Sequence, residues 1–411
     1  MHIFKNTLYQ LIMKFITAGT SLVITIVIAR YFGLSGYGDF IKITAYVGLF
    51  YLFTDFGLNA IFLQRSDQEV RFRDLLYLRI IAALIFASVS IAVSFLLLYN
   101  RFLHAGFSEA DRLGIAIFSL TIITQAIVFS AVAIFQKKLR YDLYMKASAV
   151  GSISTLGFVG ISVFLSLPLY YIFASFVMGG IITAVIALYS TKERIVPLSL
   201  NVASQRSLIR ESLPLGVMLV FSFIYFRIDV FLLSVLRPVS EVGIDGLAGK
   251  FFEFIIAVPL FLSNAIYPTL LEKQRFGNFL HHGKKYLIIF IVLSFVVLIP
   301  FWFLSPLVSL IKPEFSPAIV PLRILLIFLP FFFATSILQW ILIARKKQIY
   351  LMYVYIGATV ANISLNLIFI PKYSYIASAI ITGVVEAIVF IPLFIMVFLM
   401  PKLYQKELKN P

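Results

Sequence analysis

Ala29-Arg-Tyr-Phe-Gly-Leu-Ser-Gly-Tyr-Gly-Asp-Phe40 is the first break in an apolar run that begins at Leu8. It holds Gly33, Gly36 and Gly38 together with Arg30 and Asp39. Half a chain later, Val239-Ser-Glu-Val-Gly-Ile-Asp245 lines up with Leu34–Phe40, placing Ser35 on Ser240 and Gly38 on Gly243 at an offset of 205 in 411 residues. A second echo, Gln136-Lys-Lys-Leu-Arg140 against Ala344-Arg-Lys-Lys-Gln348, has an offset of 208. Two echoes at nearly half the chain length are the mark of a duplication.

Composition sets the class. Hydrophobic residues make up 61% of the chain and charged residues 13%, against roughly 25% charged in soluble domains. This is a protein dissolved in lipid. Lys and Arg number 34 against 18 Asp and Glu, an excess that the positive-inside rule explains, so no nucleic-acid partner is expected. The chain has no cysteine, which excludes disulfides, a thiol nucleophile and thiolate metal sites. His2, His104, His281 and His282 lie at the N-terminus or in loops without metal-ligand spacing. No phosphate-cradling Gly-Lys-Ser/Thr loop occurs. No segment outside the membrane is long enough for a catalytic domain. The expectation is a non-enzyme with no cofactor, no metal and no catalytic residues.

Spanning about 30 Å of hydrocarbon takes roughly 20 apolar residues. About twelve stretches qualify: 8–28, 41–63, 80–99, 113–135, 147–167, 170–190, 213–236, 254–271, 286–310, 320–344, 349–370 and 375–400. All are expected as helices, since lipid cannot satisfy unpaired backbone groups and barrel alternation is absent. The eighth is expected to begin earlier, near Gly243, drawing in Lys250 and Glu253. The first follows Lys5, is longer than a signal-peptide core and lacks a cleavage site, so it reads as a retained helix. With the N-terminus in the cytoplasm, cytoplasmic segments carry 23 basic residues and outer ones 7. Both termini are therefore expected in the cytoplasm. The organisation follows: a six-helix lobe over 1–190, a polar linker over 191–212, a second six-helix lobe over 213–400 and a tail over 401–411. Six helices per lobe make the repeats parallel, related by an axis along the membrane normal, with a substrate path between them.

Ionised groups in mid-bilayer cost about 2.5–3.5 kcal/mol each on insertion scales, so each needs a reason. Asp55, with Asn59 one turn on, reads either as a titrating or substrate-contacting group or as a structural tie to a basic residue. Arg227 and Asp229, two positions apart, diverge around their helix and need separate partners. Lys250 and Glu253 have the i, i+3 spacing of a local pair. Arg323 follows Pro321 near a helix start, where its side chain can reach the interface. Glu386 has no sequence-local partner. Lys14 and Lys42 lie within two turns of helix ends, and Arg30 at an interface. Arg30, Lys42, Arg227, Lys250 and Arg323 are the candidate cations of an anion-binding cavity. Asp55, Asp229 and Glu386 are the candidate coupling groups.

The opening stretch resembles the A-R-x-L-G-x-x-x-Y-G turn of the Wzx-type polysaccharide flippases. Asp229-Val-Phe-Leu-Leu233, Val242-Gly-Ile244 and Ala248-Gly-Lys250 are similar to their seventh and eighth helices, and Asn264-Ala-Ile-Tyr-Pro268 to the end of the eighth. Asn362, Asn366-Leu367, Ile370-Pro371 and Ala377-Ser-Ala379 resemble the passage N-x-x-L-N-x-x-x-I-P-x-x-G-x-x-G-A-A. Tyr373-Ser-Tyr375 departs from it where the family often has glycine, and altered packing is expected there. The resemblance implies an all-α multidrug/oligosaccharidyl-lipid/polysaccharide exporter fold, MATE-like, with two six-helix lobes. It further implies a flippase for undecaprenyl-pyrophosphate-linked repeat units of O-antigen, capsule or exopolysaccharide in the bacterial inner membrane. Membrane lipid, a polysaccharide polymerase and a chain-length regulator are the implied partners. The rivals are a drug or small-molecule antiporter on the same fold and a membrane-embedded polymerase or ligase.

Overall fold

An apolar chain of this length must pair its backbone groups internally, and it does so as helices. The computed structural model describes residues 2–64, 72–97, 100, 105–193, 202–275, 279–345 and 347–399. Among these, the β structure is one isolated bridge between Asn100 and Ala105. The helices are α1 (His2–Asp55), α2 (Leu58–Gln64), α3 (Phe72–Ser94), α4 (Glu109–Lys137), α5 (Tyr141–Phe164), α6 (Leu169–Thr191), α7 (Val202–Leu236), α8 (Val239–Arg275), α9 (Phe279–Leu304), α10 (Ile319–Ile327), α11 (Leu329–Ala344) and α12 (Gln348–Phe394).

Nine helices among the described residues are long and apolar enough to cross a bilayer. A tenth span is a bent pair, in which Pro313–Ile327 meets Leu329–Ala344 at 46°. As straight rods at 1.5 Å per residue, α1 and α12 would reach roughly 80 and 70 Å, over twice the hydrocarbon thickness. Neither is straight. Gly33 sits at φ 70°, ψ −168° inside α1, and Ser374 at φ 55°, ψ −139° inside α12. Each interruption separates two membrane-length arms, and counting the arms brings the ten spans to the twelve expected. The expected loop between the first two spans is thereby reduced to a single non-helical residue, Gly33, whose lack of a Cβ permits that φ. Ser374 adopts a similar φ where the resembling passage has glycine.

Two early helix starts bring charged residues into the candidate spans. α3 begins at Phe72, eight residues before the expected Ile80, and so includes Arg73, Asp74 and Arg79. α8 begins at Val239, as anticipated, and takes in Lys250 and Glu253.

The chain forms two compact units, Met1–Arg227 with Ser234–Gly243, and Ile228–Leu233 with Ile244–Pro411. The expected 191–212 linker lies partly outside the described residues, its described part being the end of α6 and the start of α7. The 401–411 tail lies outside them entirely.

In the first unit, Leu58, Phe62, Phe72, Leu75 and Leu76 pack with Ala133, Ile134 and Leu208 in a buried cluster. α5 and α6 cross where Gly151 faces Thr183 and Gly179 faces Thr155, a reciprocal small-residue contact of the kind that lets helices approach in lipid. The two copies of the repeated motif also meet. A Cβ on Gly38 would strike the Val239 carbonyl, and one on Gly243 the Leu34 carbonyl. Position 34 corresponds to 239 and 38 to 243, so the contact is isologous, as between two-fold-related elements. In the second unit, aromatic rings meet along α11 and α12, Phe331 edge-to-face with Phe390 and Phe390 tilted against Phe394.

Candidate functional site

The ionised residues inside the helices are the chemistry this chain offers, and the structure gives most of them partners. Asp55 is the last residue of α1, just before Phe56 (φ 40°) and Gly57 (φ 74°) break the helix. Its Oδ1 accepts from Arg79 Nη2 of α3 at 2.7 Å. Arg79 is fully buried while Asp55 is 31% exposed. Arg79 Nε also donates to the Thr54 carbonyl at 3.2 Å, and its Nη1 has no hydrogen-bond partner among the described residues. Of the two readings left open for Asp55, the tie to a basic residue is what forms here. A third span expected from Ile80 leaves Arg79 just outside it, whereas α3 starts at Phe72 and includes it. The signal was present: Leu76-Tyr-Leu-Arg79-Ile80 is an arginine inside continuous apolar sequence.

Lys42 is likewise engaged. Its buried ammonium donates to Asp39 Oδ1 at 2.9 Å, Asp111 Oδ2 at 2.7 Å and the Gly106 carbonyl at 3.0 Å, and lies 5.3 Å from the Phe107 ring centre. Asp111 also caps α4, accepting from the backbone N–H and the hydroxyl of Ser108 at 2.7 and 2.8 Å, while Ser108 Oγ accepts from the Asp111 N–H. This reciprocal box satisfies donors that a helix start leaves unpaired. Lys42 is therefore a structural cation in this conformation. Arg30, three residues before the Gly33 break, is exposed. Arg227 is half-buried in α7.

In the second unit Lys250 pairs with Glu253 at 3.3 Å, the local pair its spacing suggested. Arg323 donates from Nε to Ser305 Oγ at 2.9 Å and stacks over Trp302 at 5.1 Å, an arrangement suited to a headgroup interface. Asp229 caps onto the Val230 N–H at 2.8 Å and accepts from Thr382 Oγ1 at 3.2 Å and Ser378 Oγ at 3.5 Å. Ser378 also hydrogen-bonds Asp245 of α8, which is buried beside Asp229. Asp245, two residues past Gly243, is an addition of the structure to the sequence candidates. Glu386 is buried in α12 and accepts from the Thr335 hydroxyl of α11, with Tyr355 facing it and Gln339 bonded to Tyr355. Asn366 donates to the Asn362 carbonyl at 2.9 Å, and its own Oδ1 has no partner among the described residues. Of the sequence candidates, Lys42 and Lys250 are paired with carboxylates, Asp55 with an arginine, and Asp229 and Glu386 are held by hydroxyls. Among the described residues no group of three or more His, Asp or Glu could hold a metal ion.

The profile of the family described as polysaccharide biosynthesis protein matches residues 3–274. The chain belongs to that family. A second profile, MatE, matches residues 214–368 of the same polysaccharide biosynthesis family member. No curated protein sequence matches it. Among solved structures, the lipid II flippase MurJ in an inward closed conformation superposes with a TM-score of 0.78 at 17% identity, over 95% of this chain and 87% of that one. A multidrug resistance MATE transporter of the MOP superfamily, facing inward, gives 0.69 at 15% identity, over 95% and 96% of the two chains. A MOP superfamily transporter from Pyrococcus furiosus, described as having a binding pocket of reversed polarity, gives 0.59 at 14% identity, over 96% and 95%. At these identities the likeness establishes the fold: this polysaccharide biosynthesis family member is a multi-pass membrane protein with the MOP exporter architecture. The resemblance drawn from the motifs of α1, α7, α8 and α12 is borne out at that level.

Proposed function

We propose that the protein is a flippase that moves undecaprenyl-pyrophosphate-linked oligosaccharide repeat units across the bacterial inner membrane by alternating access. The observation that carries the reading is family membership over residues 3–274 on a MOP exporter fold. O-antigen, capsule or exopolysaccharide units are the substrates, handed on to a polymerase and its chain-length regulator. Both termini are cytoplasmic in this reading, supported by 23 basic residues against 7 in the segments assigned to the two sides. The protein acts as a transporter and makes or breaks no covalent bond. Arg30, exposed three residues before the Gly33 break, is the cation assigned to the pyrophosphate, since Lys42 and Lys250 are held by carboxylates. Charge crossing the membrane field involves about 2.3 kcal/mol per elementary charge per 100 mV, so the cycle is coupled to an ion through Asp229 and Glu386.

Complementation of a flippase-deleted strain tests this. Restored surface polysaccharide supports the reading; continued build-up of lipid-linked sugar in the cytoplasmic leaflet, with the protein expressed and folded, overturns it. A second reading, an antiporter of small cations, draws on the MatE match over 214–368 and the carboxylates of that half. It predicts raised drug tolerance in the same strain without restored polysaccharide.

A further inference from the structure

We propose that Asp39, with Asp111 and Lys42, forms a proton-exchange site at the outer end of the second arm of α1, and that its protonation sets how firmly the Gly106 segment holds the last turn of α7. Lys42 has three N–H donors, and all three are used, on Asp39, Asp111 and the Gly106 carbonyl. Two carboxylates on one ammonium leave the buried triad one negative charge in excess, and one added proton brings it to neutrality. The two carboxylates are not equivalent. Asp111 is 3% exposed and saturated by Lys42 and both donors of Ser108. Asp39 is 33% exposed and lies within hydrogen-bond reach of Asp111. Hydrogen bonds to the charged form keep a carboxylate ionised, so the proton goes to the member with fewer of them, Asp39. The proton comes from bulk water at the outer face and returns to it.

The charged groups acting on Asp39 are Lys42 on its own helix and Asp111 on α4. α6, which meets the neighbouring Phe40 through Phe173 and Phe176, has no Asp, Glu, Lys, Arg or His. On the α7–α8 turn, Arg237 and Glu241 pair with each other at 2.7 Å. The proton's effect has a defined route. With Asp39 neutral, Lys42 loses one charged acceptor and a protonated Asp39 can donate to Asp111, which redistributes the remaining arms of the ammonium. One of those arms is the Gly106 carbonyl, and the Gly106 N–H donates to the Ser234 carbonyl of α7 at 2.9 Å. The backbone of Asp39 adjoins Gly38, which abuts Val239. The turn between α7 and α8 is thus held at both ends by residues next to the triad.

Two readouts test this without requiring transport. The first is the infrared C=O stretch of a protonated carboxyl, followed through a pH titration of the purified protein. The second uses the absence of native cysteine: alkylation of Val235→Cys, on the half-exposed last turn of α7, is timed across the same range. The expected result is a carboxyl band that grows as pH falls, alongside faster alkylation, with both responses lost in Asp39→Asn. A band unchanged in Asp39→Asn, or alkylation that ignores pH in the parent, overturns the proposal. Should Asp39→Asn fail to fold, Asp39→Glu serves: the band must shift with the altered carboxyl, and an unshifted band overturns it equally.

Discussion

Arg79 and Asp55 form an asymmetric pair, and the asymmetry predicts which loss is worse. Removing the carboxylate leaves a guanidinium with no exposure and no counter-charge, whereas removing Arg79 leaves a carboxylate that still reaches solvent. Asp55→Leu should therefore destabilise by about 3 kcal/mol or more, in the range for breaking a buried pair. Arg79→Leu should cost less, and the double variant should recover part of the loss. Thermal unfolding of the four proteins in detergent checks the order. Ser374 offers a change in the opposite direction. Its positive φ is one a side chain rarely adopts, so Ser374→Gly should stabilise by roughly 1 kcal/mol, the order of a relieved backbone strain. A lower unfolding temperature in that variant would show that Ser374 is held by more than its φ.

At the scale of elements, the crossing of α1 with the start of α8 depends on two backbones meeting without side chains. Gly38→Ala and Gly243→Ala each place a methyl against a carbonyl, and overpacking of that kind costs about 1–3 kcal/mol. Gly249→Ala, ten residues past the start of α8 and open around its Cβ, should be neutral or mildly stabilising because alanine favours the helix. Measuring all three in one melting series separates close approach from helix propensity. The same contrast explains what was legible in this region. The repeated Ser-x-x-Gly spacing marked 35–38 and 240–243 as equivalent, but that the two copies touch each other is a property of packing, and no single-chain pattern carries it.

For the whole molecule, the distribution of basic residues makes a topological prediction that the absence of cysteine renders easy to measure. Lys138→Cys and Lys312→Cys, both exposed, should label from opposite sides of the membrane with an impermeant maleimide, Lys138→Cys from the cytoplasm. Labelling of both from one side would refute the assigned orientation. Asp229→Asn and Glu386→Gln bear on coupling. Each should slow flipping and flatten its dependence on an imposed ion gradient, measured in proteoliposomes, while binding of the lipid-linked sugar is retained.

The amino-acid sequence by itself determined the class, the twelve spans, the early start of α8 and the family resemblance. It could do so because lipid forces each span to satisfy its backbone within itself, so that length and apolarity over about 20 neighbouring residues decide the helix. The local Lys250–Glu253 pair was legible for the same reason: both members share one turn. The partners of the other buried charges were decided only by tertiary structure. Asp55 finds Arg79 across 24 residues and Lys42 finds Asp111 across 69. Asp229 meets Thr382 across 153. Such pairs form where helix faces are brought together by packing, and burial then makes each charge or carboxylate depend on the partner it meets there.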